Sequence, residues 1–438
     1  MTQVNSTEDR ESERAILVQV VTDQVEREQI WERAELINLV QTAGAEVVGE
    51  IRQSLAHEHA AAVIGSGKLE ELVALCAELE AGLVIFNVDL SGSQARNIEA
   101  ACKVRVIDRT QLILDIFALR ARSFEGKAQV ELAQLSYLLP RLIGQGLALS
   151  RQGGGIGSRG PGETKLETDR RKIRKAISDL RKVVRAGGDR RLELRRRRAR
   201  QGVFSVGIVG YTNAGKTTLL ANLSRRFGEK SVGEGHNRLF DTLDLTTRRI
   251  QFHGRVFVLT DTVGFIRELP HHLINAFRST LEEAVDADAL IHVVDVDDPF
   301  RDEKMDTVHA VLEKDLHASV PIITLMNCKR ESSATDEGTP LVDPIAIATV
   351  VGSARSQSTL DELLTVIDRL VGERVALHLC VPHERSDVLA QAYRAGRIGS
   401  ILQDERYLRF DLDIDRRLAH TFMPFADDRP VGPETFYE

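Results

Sequence analysis

Residues 210–217 read Gly-Tyr-Thr-Asn-Ala-Gly-Lys-Thr, a loop of the pattern G-x-x-x-x-G-K-[ST]. Its surroundings decide the fold. Residues 203–209 (Val-Phe-Ser-Val-Gly-Ile-Val) are an apolar run of strand length, and residues 218–227 carry apolar side chains at helical spacing. Strand, glycine-rich loop and helix in that order make a phosphate cradle. The loop turns its N–H groups inward, and the helix N-terminus points at the same charge. This reading places Gly210, Tyr211, Thr212, Asn213, Ala214, Gly215, Lys216, Thr217 and Thr218 around the phosphates of a nucleotide. Lys216 reaches the β- and γ-phosphates as a catalytic cation, and the Thr217 hydroxyl ligates Mg²⁺.

Further motifs follow at the spacing such a domain needs. Residues 255–260 form a strand that ends in Asp261-Thr-Val-Gly264. P-loop GTPases use that Asp to hold Mg²⁺ through water and that Gly N–H to sense the γ-phosphate. Between the two motifs lies Leu239-Phe-Asp-Thr-Leu-Asp-Leu-Thr-Thr-Arg248, where Thr242, Thr246 and Thr247 compete for a Mg²⁺-ligand role. Two more apolar strands, 290–295 and 321–326, lead to Asn327-Cys-Lys-Arg330, the usual place of the guanine-reading Asn-Lys-x-Asp. Asn327 is present, but Cys328 holds the Lys position and Arg330 the Asp position. The missing Asp would accept two bonds from guanine, each contributing roughly 1.5–3 kcal/mol. Guanine selectivity is therefore expected to be poor, with ATP an alternative to GTP or GDP. Ser353-Ala354-Arg355 stands where a loop backs the base with main-chain N–H groups. Phe265 occupies the water-orienting position after Gly264, and an apolar ring cannot polarise water. A low basal rate follows, with a partner or a cation such as K⁺ beside Asn213 completing the site.

Composition sets the remaining bounds. The chain has 438 residues, 42% hydrophobic, enough for two to four packed domains. No apolar run is long enough to span a membrane, and the polar N-terminus has no signal-peptide pattern. Four scattered cysteines suit a reducing cytosol, so a cytoplasmic location is expected. The net charge of −7 hides an asymmetry: residues 170–200 hold fifteen Lys/Arg against three Asp/Glu, leaving the rest near −19. A block of net +12 that includes Arg195-Arg-Arg-Arg198 points to a polyanionic partner such as ribosomal RNA.

The organisation expected is α/β throughout. Alternating strands (15–21, 45–52, 83–87, 104–107) and helices (29–43, 69–81, 91–102) make an N-terminal α/β domain over 12–108. A helical linker over 109–200 contains helical residues from Thr110 to Leu149, a Gly-rich loop at 153–162, and a basic helix broken at Gly187-Gly188. A P-loop GTPase domain with a mostly parallel sheet covers 201–372, and a small C-terminal α/β domain covers 373–438.

The ensemble resembles the HflX family of bacterial GTPases over nearly its whole length. The most specific likeness is Gly154-Gly-Ile-Gly-Ser-Arg-Gly-Pro-Gly-Glu-Thr-Lys-Leu-Glu-Thr-Asp-Arg-Arg171. Val106-Ile-Asp-Arg-Thr-Gln-Leu-Ile-Leu-Asp-Ile-Phe117, Gly126-Lys-Ala-Gln-Val-Glu-Leu-Ala-Gln-Leu135, Gly65-Ser-Gly-Lys68 and Leu90-Ser-Gly-Ser-Gln-Ala-Arg-Asn97 match as well. The resemblance implies a GTPase that binds the large ribosomal subunit and its rRNA, splits ribosomes under stress, and acts as a monomer. It also implies Thr242 as the catalytic switch threonine, giving Mg²⁺ the ligands Thr217, Thr242 and Asp261. Asp241, Leu245 and Lys165 depart from the family's usual Ala, Pro and Gln. A competing reading is a degenerate paralogue that acts as an RNA-binding scaffold with weak hydrolysis; a metabolic ATPase or kinase has little support.

Overall fold

The structure, a computed structural model, describes residues 12–21, 25–55, 59–150, 161–200, 203–228, 240, 245–253, 255–267, 281–282, 286–329, 341–372, 374–404 and 406–427. The Gly-rich loop at 153–160, Asp241, Thr242 and Arg330 lie outside the described residues.

The first compact unit is built on a four-stranded parallel sheet. Its strands are β1 (Glu13–Val21), β2 (Ala45–Ser54), β3 (Leu83–Phe86) and β4 (Arg105–Asp108), in the order β2-β1-β3-β4. Helices α1 (Glu26–Ala43), α2 (Ser66–Glu78) and α3 (Gly92–Cys102) make the crossovers. The inner strands β1 and β3 carry buried apolar runs because both their faces are covered, whereas the edge strand β2 is mixed, with Ile51 its one buried residue. Ile16, Val18, Val84, Phe86, Leu72 and Ile98 form the core on one face. In the Leu90–Asn97 stretch Ser91 and Gln94 form a reciprocal capping box that starts α3.

The helical segment after β4 differs from expectation. It starts as a separate helix, α4 (Arg109–Arg120), which packs on α1 and on the helix that follows it. Asp108 caps α4 at Gln111 N, and the buried Arg109 pairs with Glu35 of α1 at 2.6 Å. Ser123 accepts a bond from Gly126 N and helps start the next helix, α5 (Phe124–Ser150). Asp108 also accepts bonds from Tyr137 and Arg141 of α5, so one buried carboxylate anchors two helices. Within the same unit the Phe240 ring packs edge-on against Phe117 of α4, 4.7 Å between centroids.

Helix α6 (Pro161–Arg200) runs unbroken for 40 residues, through the expected break. At Gly187 a Cβ would come within 2.6 Å of the Glu125 carboxylate oxygens. That glycine makes room for a close approach to α5, and the helix continues past it.

The second unit holds the phosphate-loop domain. Its strands are β5 (Phe204–Gly210), β6 (Thr246–Phe252), β7 (Arg255–Asp261), β8 (Ala289–Asp295), β9 (Ile322–Asn327) and β10 (Ala348–Gly352). Their order is β10-β9-β8-β5-β7-β6, with all pairs parallel except β6–β7. Helix α7 (Lys216–Phe227) packs on the sheet through Leu219, Leu220 and Leu223; α8 (Arg301–Ala310) lies on β8, and α9 (Gln357–Leu370) contributes Leu360, Leu363, Leu364 and Ile367. Strands β6 and β10 and helices α8 and α9 were not read from the sequence. β6 is an edge strand whose apolar residues are Ile250 and Phe252 alone, a weaker signal than a buried run.

The C-terminal part is a three-stranded antiparallel sheet, β11 (Arg374–Pro382), β12 (Gly396–Gln403) and β13 (Tyr407–Asp415), in the order β11-β13-β12. Leu379, Val381, Phe410, Leu412 and Ile414 close its core against α10 (Ser386–Ala395), through Val388 and Ala392.

Candidate functional site

The site forms at the carboxyl ends of β5, β7, β8 and β9, where open α/β sheets bind ligands. Between β5 and α7 the loop turns at Asn213 (φ +62°) and Gly215 (φ +109°). A Cβ on Gly215 would stand 2.4 Å from the Asn327 amide nitrogen, so glycine is required there. Lys216 is buried, and its Nζ donates to the carbonyls of Gly210 (3.1 Å) and Tyr211 (2.8 Å). Burial pushes this ammonium down to about 8, while the nearby Asp261 pulls it back up. An anion placed before the loop would relieve that desolvation.

The Asp261-Thr-Val-Gly264 segment is stitched to this loop. Thr212 N donates to Phe265 O (2.8 Å), Phe265 N to Gly210 O (3.1 Å), and Arg267 N to the Tyr211 hydroxyl (2.6 Å). The Phe265 side chain is buried. Thr217 donates to Asp261 Oδ2 at 2.9 Å, so the two expected Mg²⁺ groups meet at one point. The buried Thr212 hydroxyl has no hydrogen-bond partner among the described residues. A Cβ on Gly264 would lie 2.9 Å from Lys216 Nζ and 2.8 Å from Thr212 Cα. The Thr217 hydroxyl, the Asp261 carboxylate and the Lys216 ammonium, with Gly264 beside the lysine, are the groups that fit a magnesium-bound polyphosphate. Of the competing threonines, Thr246 and Thr247 lie in β6, where Thr247 Oγ1 is 3.3 Å from Thr260 Oγ1. Thr218 sits in the first turn of α7. The Asn213 side chain is exposed and makes no hydrogen bond to a described residue.

The base end shows a lysine that the spacing hid. Asn327 bridges two loops: its Nδ2 donates to Ala214 O (2.8 Å), and its Oδ1 accepts from Ala354 N (2.9 Å). The Ala354 N–H is therefore engaged by Asn327 rather than standing open for a base. Arg355 is exposed, its N–H held by Ser353 Oγ at 3.3 Å. Cys328 is buried, with its N–H on Gly352 O. Lys329 reaches across the loop instead: its Nζ donates to Asn213 O at 2.8 Å and pairs with Asp295 at 2.6 Å. Its own N–H is held by Asp297. The lysine expected at Cys328 is thus supplied one residue later.

Comparison with known proteins bears on the whole chain. Residues 205–328 match a family model described as 50S ribosome-binding GTPase. Residues 32–118 and 120–198 match the N-terminal and middle regions of a GTP-binding GTPase. The GTPase HflX of Lacrimispora saccharolytica is 43% identical over 415 residues, 94% of each chain. That of Caldanaerobacter subterraneus is 46% identical over 380 residues, covering 86% of this chain and 85% of the relative.

The chain belongs to the HflX GTPase family.

The HflX of Alkalihalophilus pseudofirmus is 49% identical over 319 residues, 73% of this chain and 74% of the relative. A GTP-binding protein from Sulfolobus solfataricus, solved in complex with GDP, is 25% identical and covers 81% of this chain and 98% of its own, with a TM-score of 0.43. This HflX-family chain is a GTPase with a P-loop fold. Among its described residues no helix is long and apolar enough to cross a membrane.

Proposed function

We propose that this HflX-family GTPase works on the large ribosomal subunit, binding Mg²⁺·GTP and splitting or rescuing ribosomes under stress. The convergence of Lys216, Thr217, Asp261 and Gly264 at the end of β5 carries the nucleotide half of this reading. Thr217, with Asp261 behind it and Thr242, which precedes β6 in the chain, would hold Mg²⁺. The metal would neutralise charge between the β- and γ-phosphates. Lys216 binds the same oxygens from the loop side, and the Gly264 N–H registers the γ-phosphate. No described side chain beside Gly264 is placed to activate water, so hydrolysis waits on the ribosome or on a cation at Asn213. Lys216→Ala should abolish tight triphosphate binding with the fold intact. Equal affinity in mutant and parent would remove the assigned site.

The partner half rests on the family model's printed description and on α6. Arg196 and Arg197 are exposed, whereas Arg195 pairs with Asp286. The double substitution Arg196→Gln/Arg197→Gln should flatten the salt dependence of ribosome binding by about 1.5 log–log units, just under one per lost phosphate contact. An unchanged slope means that these arginines face solvent in the complex. The proposal includes a monomer in the cytoplasm, divided as an N-terminal domain, a helical middle region, a GTPase domain and a C-terminal sheet domain.

A further inference from the structure

We propose that His292, His309 and Asp343 form a binding site for a zinc-type divalent cation, separate from the phosphate site. His292 lies on β8, His309 at the end of α8, and Asp343 in the segment that leads to β10. Three parts of the second unit thus send one donor each to a common point, their ligand atoms all within 4.8 Å of one another.

The distances suit a metal. His292 Nδ1 is 3.4 Å and His309 Nε2 is 3.2 Å from Asp343 Oδ2. A tetrahedral zinc ion with bonds of about 2.05 Å holds its ligand atoms about 3.3 Å apart. Two edges of that tetrahedron therefore already exist, and modest rotation of the imidazoles would close the third. Thr324 donates to Asp343 Oδ2 at 2.6 Å and Ile345 N to Oδ1 at 3.2 Å, so the carboxylate is oriented by a second layer of donors.

The electrostatics point the same way. Asp343 is buried, and its ion-pair partners are these two histidines, with no lysine or arginine among the described residues. Burial opposes its charge, yet the hydrogen bonds from His292, His309 and Thr324 hold it well below the usual carboxylate range. Burial pushes the His292 imidazole down, towards the neutral form that ligates metals. A buried carboxylate with no lysine or arginine beside it among the described residues costs free energy until a positive charge arrives. Three donors also crowd a single oxygen that has two lone pairs. His309, 17% exposed, offers the route in from solvent.

The site adjoins the nucleotide machinery. His292 pairs across the sheet with Val209, one residue before the phosphate loop. It also lines a small cavity together with Tyr211, Thr212 and Ala214. A bound ion would tie α8 and the 341–347 segment to the strand that backs this loop.

The test uses the full chain, stripped with chelator and then saturated with GDP in excess Mg²⁺ so that the phosphate site is filled. Titration with Co²⁺ should give one equivalent of tetrahedral visible absorption, displaced by Zn²⁺. His309→Gln and Asp343→Asn should each weaken Co²⁺ binding at least about 10-fold, with GDP affinity retained. Absence of micromolar Co²⁺ binding to the parent overturns the proposal without recourse to any variant. So does binding that survives both substitutions, or a thiolate-to-cobalt charge-transfer band that puts the ion on cysteine.

Discussion

Lys329→Met removes a contact that no motif pattern assigns. The parent Nζ holds Asn213 O at 2.8 Å and Asp295 at 2.6 Å, with the lysine side chain 35% exposed and the aspartate 16%. A charge-assisted bond contributes about 1.5–3 kcal/mol when shielded from water. Exposed ion pairs contribute up to about 1 kcal/mol, and this pair lies between the two cases. Losing both contacts should loosen the phosphate loop and leave Asp295 without its cation. The expected cost is about 1–2 kcal/mol of binding, or about a 5- to 30-fold rise in Kd. The effect should be equal for GTP, GDP and ATP, because Lys329 touches loop backbone and carboxylate rather than a base. Equilibrium titration with a fluorescent GDP, followed by competition with GTP and ATP, measures it. A change below 2-fold, or a loss confined to guanine nucleotides, would refute the reasoning. Cys328→Lys is the informative companion. It buries an ammonium where Cys328 is 4% exposed, so it should lower stability without adding guanine selectivity.

Asn327→Ala leaves Ala214 O and Ala354 N buried and unpaired, which should cost about 2–4 kcal/mol, read as a lower urea midpoint for the nucleotide domain; an unmoved midpoint counts against the bridge. Gly264→Ala sets a methyl 2.8 Å from Thr212 Cα and 2.9 Å from Lys216 Nζ, so affinity for a non-hydrolysable GTP analogue should fall at least about 10-fold and that for GDP much less. Equal losses for the two nucleotides would place the clash away from the γ-phosphate. Cys102 is buried, and desolvation with Cys76 beside it pushes its thiol up to about 12. It should resist iodoacetamide at neutral pH in the native chain and react in urea, so rapid native labelling would contradict its packing.

The local order of residues determined the phosphate end almost completely. The loop at 210–217 needs its glycines, lysine and threonine within eight positions, and chain connectivity alone brings them to one turn between β5 and α7. Asp261 and Gly264 were legible for the same reason, since a buried strand delivers its last residue to the sheet's carboxyl edge. The continuous apolar runs of β1, β3, β5, β7, β8 and β9 also read directly, being covered on both faces. The base end was different. Whether Cys328 or Lys329 meets the loop depends on which of two adjacent side chains turns inward at the end of β9, and spacing rules assume the usual register. Packing decided it: Cys328 N–H is held by Gly352 O and its thiol is buried, which leaves the longer Lys329 to reach Asn213. Gly187-Gly188 reads as a break along the chain, yet Gly187 makes room for the Glu125 carboxylate inside a continuous helix. His292, His309 and Asp343 lie up to 51 residues apart and share no pattern. Only the pairing of β8 beside β9, with α8 laid on β8, brings their donor atoms to one point, because side-chain chemistry across such separations is set by tertiary contact.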